Sequence, residues 1–388
     1  MGVTIVDVAR EAGTSKSTVS KVLRDHPYVS KEARARVLRA IDRLGYRPNR
    51  AARSLVQGRA RALGIVIPDI RNPFYPRLIR AIDDAAKEAG YTTILAQVDF
   101  DQLDLVEEVE SVLWGLVDGI IFGSSWGSPS SLRRLKQRSV PFAFVSCKPD
   151  DLQADYAVVD DNYGARLAVD HLAGLGHRRI AHIASPEPDS SAQDRLEGYL
   201  SGLKNHGLPV DERLIVSAIR RTSVGSPSGL DGYDAAASLM TQASPATAIF
   251  CANDDIALRA MEAVEDSGAR IPSDVSLVGF DDLGFSAIPR IGLTTVSHPI
   301  EQMGRVVTDW ILDRAKVSTD RMPLQIVFKP SLVVRTSTAA LRLSFPDSSE
   351  TKASTRPDRL ILEEPDHRTL VRSRGELPPG VAGGDGLG

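Results

Sequence analysis

Apolar residues recur with helical spacing in three short segments at the start of the chain. The apolar face of the first segment consists of Ile5, Val8 and Ala9. Thr4 stands in the capping position of this helix, Asp7 follows three residues later as in a capping box, and Gly13 ends the helix. Ser15 then begins a second helix over about 16–23.

The second helix has one apolar side and one polar side. Its buried side is predicted to be Val19, Val22 and Leu23, and its outer side Lys16, Ser17, Thr18, Ser20 and Lys21. Ser30 caps a third helix whose core stripe is predicted to be Val37, Leu38, Ile41 and Leu44. Two short helices around a glycine-containing turn, the second with small polar and basic side chains, are typical of a DNA-binding helix-turn-helix.

A short segment with apolar and basic residues follows these helices. Pro48 allows a new helix to begin at Asn49, and the pattern continues to Gln57. An isolated helix this short is marginal in water, so we expect it to order only against DNA and a partner hinge. The sequence thus predicts a DNA-binding head at 1–48 and a hinge helix and linker at 49–61. A plain linker is the alternative.

From Ala62 onwards, apolar runs of four to seven residues alternate with helical segments. The runs ALGIVIP, GIIFG, PFAFVS and AIFC are typical of strands buried on both faces. Such alternation predicts an α/β body of parallel sheets covered by helices. Two successive sets of these units predict two doubly wound lobes within residues 62–338.

Charge separates the head from the body. Residues 1–61 hold 14 Lys and Arg against 5 Asp and Glu, a net charge of +9. Because the whole chain has a net charge of -3, the other 327 residues sum to -12. A basic head on an acidic body indicates that nucleic acid binds to the head alone. A small basic bundle used for protein contacts is the alternative.

Composition is that of a soluble protein, with 42% hydrophobic and 25% charged residues. We expect no membrane span and no signal peptide, and therefore a cytoplasmic protein. Cys147 and Cys251 each end an apolar run, which predicts buried single thiols rather than a disulfide or a metal site.

Common catalytic motifs do not occur in the sequence. It contains no GxxxxGK[ST], no GxGxxG after a strand, no GxSxG and no HExxH. We interpret His177 as a loop donor and His182 as a strand residue. Four carboxylates could also suggest catalysis, but we interpret them as helix caps: Asp160, Asp161, Asp254 and Asp255. We therefore expect no enzymatic activity, no cofactor and no metal.

The head closely resembles the lactose-repressor (LacI/GalR) family of bacterial transcription regulators. The matching segments are TIVDVAREAGTSKSTVSKVL at 4–23, VS at 29–30 and GYRPNRAARSL at 45–55. The resemblance continues to about residue 338 and implies a periplasmic-binding-protein-like clamshell that the chain crosses three times. On that plan lobe 1 is about 62–161 and 292–320, and lobe 2 about 162–291 and 321–338. Residues 339–388 are read as a disordered tail.

The resemblance also implies a bacterial protein associated with the nucleoid, and it implies which residues contact DNA. Lys16, Ser17 and Lys21 face base edges, and Leu55 wedges between base steps of the minor groove. The full predicted set is Thr4, Thr14, Lys16, Ser17, Thr18, Ser20, Lys21, Ser30, Arg34, Asn49, Arg50, Arg53 and Leu55. Among these, Thr14, Thr18, Ser20, Ser30 and Arg34 are assigned to phosphates.

An effector is expected in the cleft between the lobes, beyond the carboxyl ends of the strands. The resemblance points to Phe74, Tyr75, Ser124, Trp126, Ser191, Arg195, Asn253 and Asp281. An Arg, an Asp and an Asn suit a hydroxyl-rich ligand such as a sugar, with Trp126 stacking on the ring. A nucleobase stacked on Phe74 is the alternative. The segment SAIRRTSVGSPSGLDG lacks the aromatic common in the family, and Arg220 or Arg221 adds a cation there.

These features together predict a ligand-responsive regulator, most simply a repressor. It would bind palindromic double-stranded operator DNA as a homodimer, because a dimer places two reading helices about one DNA turn apart. Two other classes stay open: a solute-binding protein of the same clamshell fold and a nucleobase-responsive regulator. A third class, a sugar-processing enzyme with a regulatory head, lacks any catalytic constellation.

Overall fold

The structure is a computed structural model, and the following concerns the residues it describes. These are 3–23, 26–46, 59–98, 113, 115–124, 133, 136–137, 140–149, 153–186, 189–220, 230–316 and 322–341. Within them the chain forms a three-helix head and a body with two six-stranded sheets.

The head consists of α1 (Ile5–Glu11), α2 (Lys16–Leu23) and α3 (Lys31–Leu44). The predicted capping box is confirmed: Thr4 Oγ1 accepts from the Asp7 amide, and the Asp7 carboxylate accepts from the Thr4 amide at 3.0 Å. Ser30 caps α3 by accepting from the Ala33 amide at 3.2 Å. The fold of the head therefore follows from local signals.

One predicted core residue of the head is wrong. Leu38 is 49% exposed, whereas Val37 is fully buried and Ala40 is buried beside it in the core. Successive helical residues are turned by about 100°, so Leu38 points away from the face that Val37 and Ala40 share.

Lobe 1 is built on a parallel sheet with the strand order β13-β5-β4-β3-β1-β2. Its strands are β1 (Ala62–Ile67), β2 (Thr92–Gln97), β3 (Gly119–Phe122), β4 (Phe142–Val145), β5 (Asp155–Val159) and β13 (Gln325–Phe328). Two helices, α4 (Phe74–Glu88) and α9 (Ile300–Lys316), pack together over one face. β1, β3 and β4 are buried at every position, which explains their uninterrupted apolar sequences.

Lobe 2 has the strand order β14-β12-β11-β10-β6-β7, parallel except for β14. Its strands are β6 (Ile180–Ala184), β7 (Ile215–Ser217), β10 (Ala248–Cys251), β11 (Ser276–Phe280), β12 (Thr294–Ser297) and β14 (Ser331–Val333), with a separate ribbon of β8 (Ile219–Arg220) and β9 (Leu230–Asp231). Its helices are α5 (Asp161–Gly174), α6 (Ser190–Asn205), α7 (Tyr233–Met240) and α8 (Asp254–Asp266). α5 and α6 share one core with the sheet and α7 and α8 another, so both faces are covered, as predicted.

The chain passes between the two sheets three times, as the resemblance implies, but two of the expected boundaries are wrong. Residues 294–297 pair with β11 and so belong to lobe 2 rather than lobe 1. Residues 325–328 pair with β5 and belong to lobe 1 rather than lobe 2. Sheet membership of a four-residue strand depends on distant pairing partners, which the local apolar pattern does not reveal.

The expected start of the tail is also wrong by three residues. The Ala339 amide donates to Ser276 Oγ at 3.0 Å, and the Leu341 amide donates to the Leu175 carbonyl at 2.9 Å. The body thus extends to Leu341, and residues 342–388 lie outside the described part.

Cys147 and Cys251 are both buried thiols, and no disulfide joins them, as predicted. Of the helices the structure describes, none is long and apolar enough to cross a membrane.

Candidate functional site

A cavity that is partly open to solvent lies between the two lobes. Both lobes contribute lining residues, which are Asn72, Phe74, Tyr75, Ser146, Ser185, Asp189, Ser191, Ala192, Arg195, Asn253 and Asp281. Most of these follow the carboxyl end of a strand or begin the next helix, where parallel α/β folds place their ligands.

Six of the eight residues predicted for the effector line this cavity: Phe74, Tyr75, Ser191, Arg195, Asn253 and Asp281. Ser124 is not among the lining residues. It is 1% exposed, and its Oγ has no hydrogen-bond partner among the described residues. Trp126 and Arg221 lie outside the described residues, and Arg220 does not line the cavity.

Five lining residues were missed by the sequence reasoning: Asn72, Ser146, Ser185, Asp189 and Ala192. The only feature of the sequence that could have indicated them was their position after a strand or at the start of a helix. Ser146 directly follows β4, Ser185 directly follows β6, and Asp189 caps α6 through the Ala192 amide. Small polar residues at such positions are common, so a single sequence does not separate turn formers from ligand contacts.

Arg195 is fixed in the cleft by several protein groups. Its Nε donates to Asp161 Oδ1 at 2.7 Å, and its Nη1 donates to the Ala252 carbonyl. The guanidinium lies 3.8 Å from the centroid of the Phe280 ring, and Nη2 lies 3.8 Å from Asp281 Oδ1. The side chain therefore supplies a preorganised cation, and Nη2 is the nitrogen directed towards Asp281.

Asp161 was read as a helix cap, but it is the buried partner of Arg195. Asp160 is the residue that caps α5, accepting from the Tyr163 amide at 2.9 Å. Burial raises the pKa of Asp161 to about 6, and the Arg195 cation opposes that rise. Pairing with Arg195 therefore favours the ionised form of Asp161.

Two asparagines accept hydrogen bonds from backbone amides through their side-chain oxygens. Asn72 Oδ1 accepts from the Phe74 amide at 3.0 Å, and Asn253 Oδ1 accepts from the Ile256 amide at 2.8 Å. Asn253 is thus the cap of α8, a role that had been assigned to Asp254 or Asp255. Because each oxygen is committed, the amide nitrogens of Asn72 and Asn253 are the groups left to donate to a ligand.

Asp281 has an unusual backbone. Its φ is 113°, in a region that side-chain-bearing residues rarely adopt, and its carboxylate lies 3.3 Å from His298 Nε2. Strained residues of this kind persist at functional sites, where the surrounding structure determines them. His298 is buried and stacks on Phe74 with ring centroids 5.5 Å apart. The Phe74 ring is therefore a packed wall of the cleft.

The lobe-2 core behind the cleft contains a buried histidine. His182 stacks between Tyr199 and Phe250, and its Nδ1 lies 3.0 Å from the Phe250 carbonyl. Desolvation lowers the pKa of His182 from 6.5 to about 4.

Because of this lowered pKa, we expect the contribution of His182 to the free energy of unfolding to decrease as the pH falls from about 6.5 towards 4. The unfolded chain takes up a proton at the ordinary histidine pKa, whereas the folded chain resists it until pH 4. Urea unfolding at several pH values measures the slope. The difference between the slopes of the parent and His182→Phe isolates this contribution. His171 and His177, whose pKa values burial lowers, and Asp161 and Asp254, whose pKa values burial raises, are present in both chains. An unchanged slope in His182→Phe would contradict this assignment.

In the head, α2 presents a polar face opposite its buried Val19 and Val22. Lys16, Ser17 and Lys21 are exposed on that face. Ser15 begins the helix, its Oγ accepting from the Thr18 amide at 3.2 Å. These are the side chains a groove-reading helix needs at its surface.

Several side chains that are predicted to contact phosphates or bases make hydrogen bonds within the head itself. Arg34 Nη2 donates to the His26 carbonyl at 2.9 Å, and Thr18 Oγ1 lies 3.0 Å from Ser15 Oγ. Thr4 and Ser30 act as caps, while Thr14 and Ser20 are partly buried. The hinge residues Asn49, Arg50, Arg53 and Leu55 lie outside the described residues.

Two family models match the chain. The bacterial regulatory proteins of the lacI family match residues 4–49, and a periplasmic binding protein-like domain matches residues 169–338. DegA, an HTH-type transcriptional regulator of Bacillus subtilis, is 34% identical over 346 residues, which cover 88% of this chain and 99% of DegA. Catabolite control protein A of Priestia megaterium is 34% identical over 338 residues, covering 85% and 99%.

Solved structures of transcriptional regulators also match most of this chain. The lac repressor dimer bound to operator and the anti-inducer ONPF is 28% identical with a TM-score of 0.73, covering 88% of this chain and 100% of that one. The regulator CelR in complex with cellobiose is 31% identical with a TM-score of 0.62, covering 86% and 99%. With this fold, this head and full-length relatives above 30% identity, the chain belongs to the LacI family of DNA-binding bacterial transcriptional regulators.

Proposed function

We propose that this protein is a sugar-responsive repressor that binds a palindromic operator as a homodimer. The carrying observation is the interlobe cleft, where a fixed Arg195 cation, the Asp281 carboxylate and two asparagine amides converge. Sugar in this cleft changes the orientation of the lobes, and the lobes control the pairing of the DNA-binding heads. Sugar and operator affinities are then reciprocally coupled.

The chemistry of the cleft favours a neutral, hydroxyl-rich ligand. A hydroxyl group both donates and accepts, so it can donate to Asp281 and accept from Arg195, Asn72 and Asn253. The relative CelR binds cellobiose, and an Enterococcus faecium relative of 30% identity binds ribose. The nucleobase alternative relies on stacking against Phe74, and the Phe74 ring is already stacked on His298.

A homodimer is supported by apolar side chains at the edge of lobe 1. β2 is an edge strand, and its Leu95 is 45% exposed, as is Ile70 at 41% in the loop after β1. Exposed apolar side chains of this kind are candidates for burial against a second copy of the chain. A two-fold dimer also supplies the paired heads that a palindrome requires.

Calorimetry of the full chain with cellobiose, ribose and guanine tests the ligand class. We expect a sugar to bind and guanine not to bind. Asp281→Asn should weaken sugar binding by about 2 kcal/mol, because a charged acceptor in the cleft is replaced by a neutral amide. Asp170→Asn, a surface change beside His206, is the control and should leave affinity unchanged. Guanine binding without sugar binding would contradict the proposal.

Lys16 and Lys21 should determine which base pairs are preferred. Lys16→Ala should relax selectivity at particular positions by about 1–3 kcal/mol, because a lysine that donates to a base edge discriminates between bases. Selection on randomised half-sites measures the base profile of each variant. Lys31→Ala, an exposed lysine at the start of α3, serves as the control and should leave the profile unaltered. An unaltered profile for both Lys16 and Lys21 variants would mean that neither reads bases.

A further inference from the structure

A loop of lobe 2 crosses to lobe 1 and packs into its core. This bridging loop, residues 281–287, follows β11 and includes a 3-10 turn at Gly284–Ala287. Leu283 is 3% exposed and belongs to the apolar core that α4 and α9 build in lobe 1, and Phe285 packs against the same core. By sequence the loop continues lobe 2, whereas its apolar side chains are part of lobe 1.

The loop is held to lobe 2 by a fully buried carboxylate. Asp254 Oδ2 accepts from the Leu283 amide at 2.8 Å and from Ser286 Oγ at 2.7 Å. Its Oδ1 accepts from Thr295 Oγ1 of β12 at 2.6 Å. With three donors on one buried group, the loop moves together with the lobe-2 sheet.

A second set of contacts holds the loop to lobe 1. Arg77 of α4 donates from Nη1 to the Asp282 carbonyl at 3.0 Å. The same guanidinium makes a two-bond pair with Glu301 of α9, at 2.7 and 3.1 Å. On the lobe-2 side, Asp282 Oδ1 accepts from Arg335 at 2.6 Å. Asp282 is thus bonded to both lobes.

The loop begins in the cleft itself. Asp281 lines the cavity, and Leu283 lies only two residues further on. Asp281 and Asp282 have φ values of 113° and 53°, both positive and therefore unfavourable for residues with side chains. This backbone directs the Asp281 side chain to the cleft and the Leu283 side chain to lobe 1 within a single short turn.

We propose that the bridging loop couples the cleft to lobe 1, with Leu283 as the positioning residue of that coupling. The loop is fixed to lobe 2 and closely packed in lobe 1. A displacement of Asp281 by ligand therefore moves Leu283 within the apolar core of lobe 1. Packed cores respond to such displacements by shifting between discrete arrangements. The signalling role rests on the proposed function, whereas the mechanical link between the lobes does not.

The mechanical link is tested without ligand, by spin labels on the two lobes. Lys87→Cys on α4 and Lys204→Cys on α6 place labels at exposed positions, and both native cysteines are buried. Labelled chain mixed with a large excess of unlabelled chain reports distances within one protomer. Leu283→Ala should widen the interlobe distance distribution. Leu312→Ala, in the same lobe-1 core, is the matched control and should not. Equal widths in the two variants would overturn the proposal.

The signalling role is tested by operator affinity with and without cellobiose or ribose. Effectors of allosteric proteins typically change affinity by about 5- to 150-fold. In Leu283→Ala, sugar should still bind, but this ratio should fall close to one. Arg77→Gln should lower it partly, and Arg80→Gln, an exposed change on the same helix, should not. A full response in Leu283→Ala would overturn the coupling. If neither sugar binds the parent, the proposed effector class fails, while the label distances still decide the mechanical link.

Discussion

A chain that lacks residues 1–58 should bind sugar with unchanged affinity and should not bind its operator specifically. The head supplies the reading helix and a net charge of +9 lies within residues 1–61, whereas the rest of the chain is acidic. Specific complexes of DNA-binding proteins are typically about 10³–10⁷ times tighter than their non-specific ones, and that whole margin should disappear. Fluorescence anisotropy with labelled operator measures the loss.

The cut is placed at residue 58 for a structural reason. The amides of Ala60 and Arg61 donate to the two carboxylate oxygens of Asp118 at 2.6 and 2.8 Å, so removing them would disturb the start of β1. The full chain is the control, and its affinity should fall steeply with salt because phosphate contacts release counterions. Specific, salt-dependent operator binding by the truncated chain would show that the body also reads DNA.

Features that depend on neighbouring residues were predictable from the sequence. The capping box of Thr4 and Asp7, the Ser30 cap and the bounds of α2 all follow from side chains within four positions. Arg195 and Asp281 were predictable as cleft residues because the fold places ligands at strand ends, and the family resemblance fixed which strand ends to examine.

Features that depend on distant partners were not predictable. Asp161 pairs with Arg195 across 34 positions, and Asp254 binds the Leu283 amide across 29 positions. Both carboxylates stand next to helix starts, and the local pattern therefore favoured caps. Leu283 follows a lobe-2 strand, and nothing in its neighbourhood indicates that it packs into lobe 1. Such contacts depend on which lobe faces which, information that one sequence does not contain.

Arg195→Ala should destabilise the protein by about 3–5 kcal/mol, because it leaves Asp161 as an unpaired buried charge. Asp161 is 3% exposed, and the change also removes the donor to the Ala252 carbonyl. Urea unfolding at pH 7 gives the loss. Arg270→Ala, which breaks an exposed pair with Asp274, is the matched control and should leave the unfolding midpoint nearly unchanged.

Adding Asp161→Asn to Arg195→Ala tests whether Asp161 is the carboxylate that Arg195 neutralises. The double variant should be clearly more stable than Arg195→Ala alone, because the buried group is then neutral. In Arg195→Ala itself the deficit should shrink as the pH falls. Burial raises the pKa of Asp161, so the folded chain takes up its proton before the unfolded chain does, and without the opposing cation that protonation occurs at higher pH. A deficit independent of pH, or additive effects of the two changes, would show that Asp161 is not the group Arg195 neutralises. Sugar binding by Arg195→Ala is therefore informative only under conditions where that variant is shown to be folded.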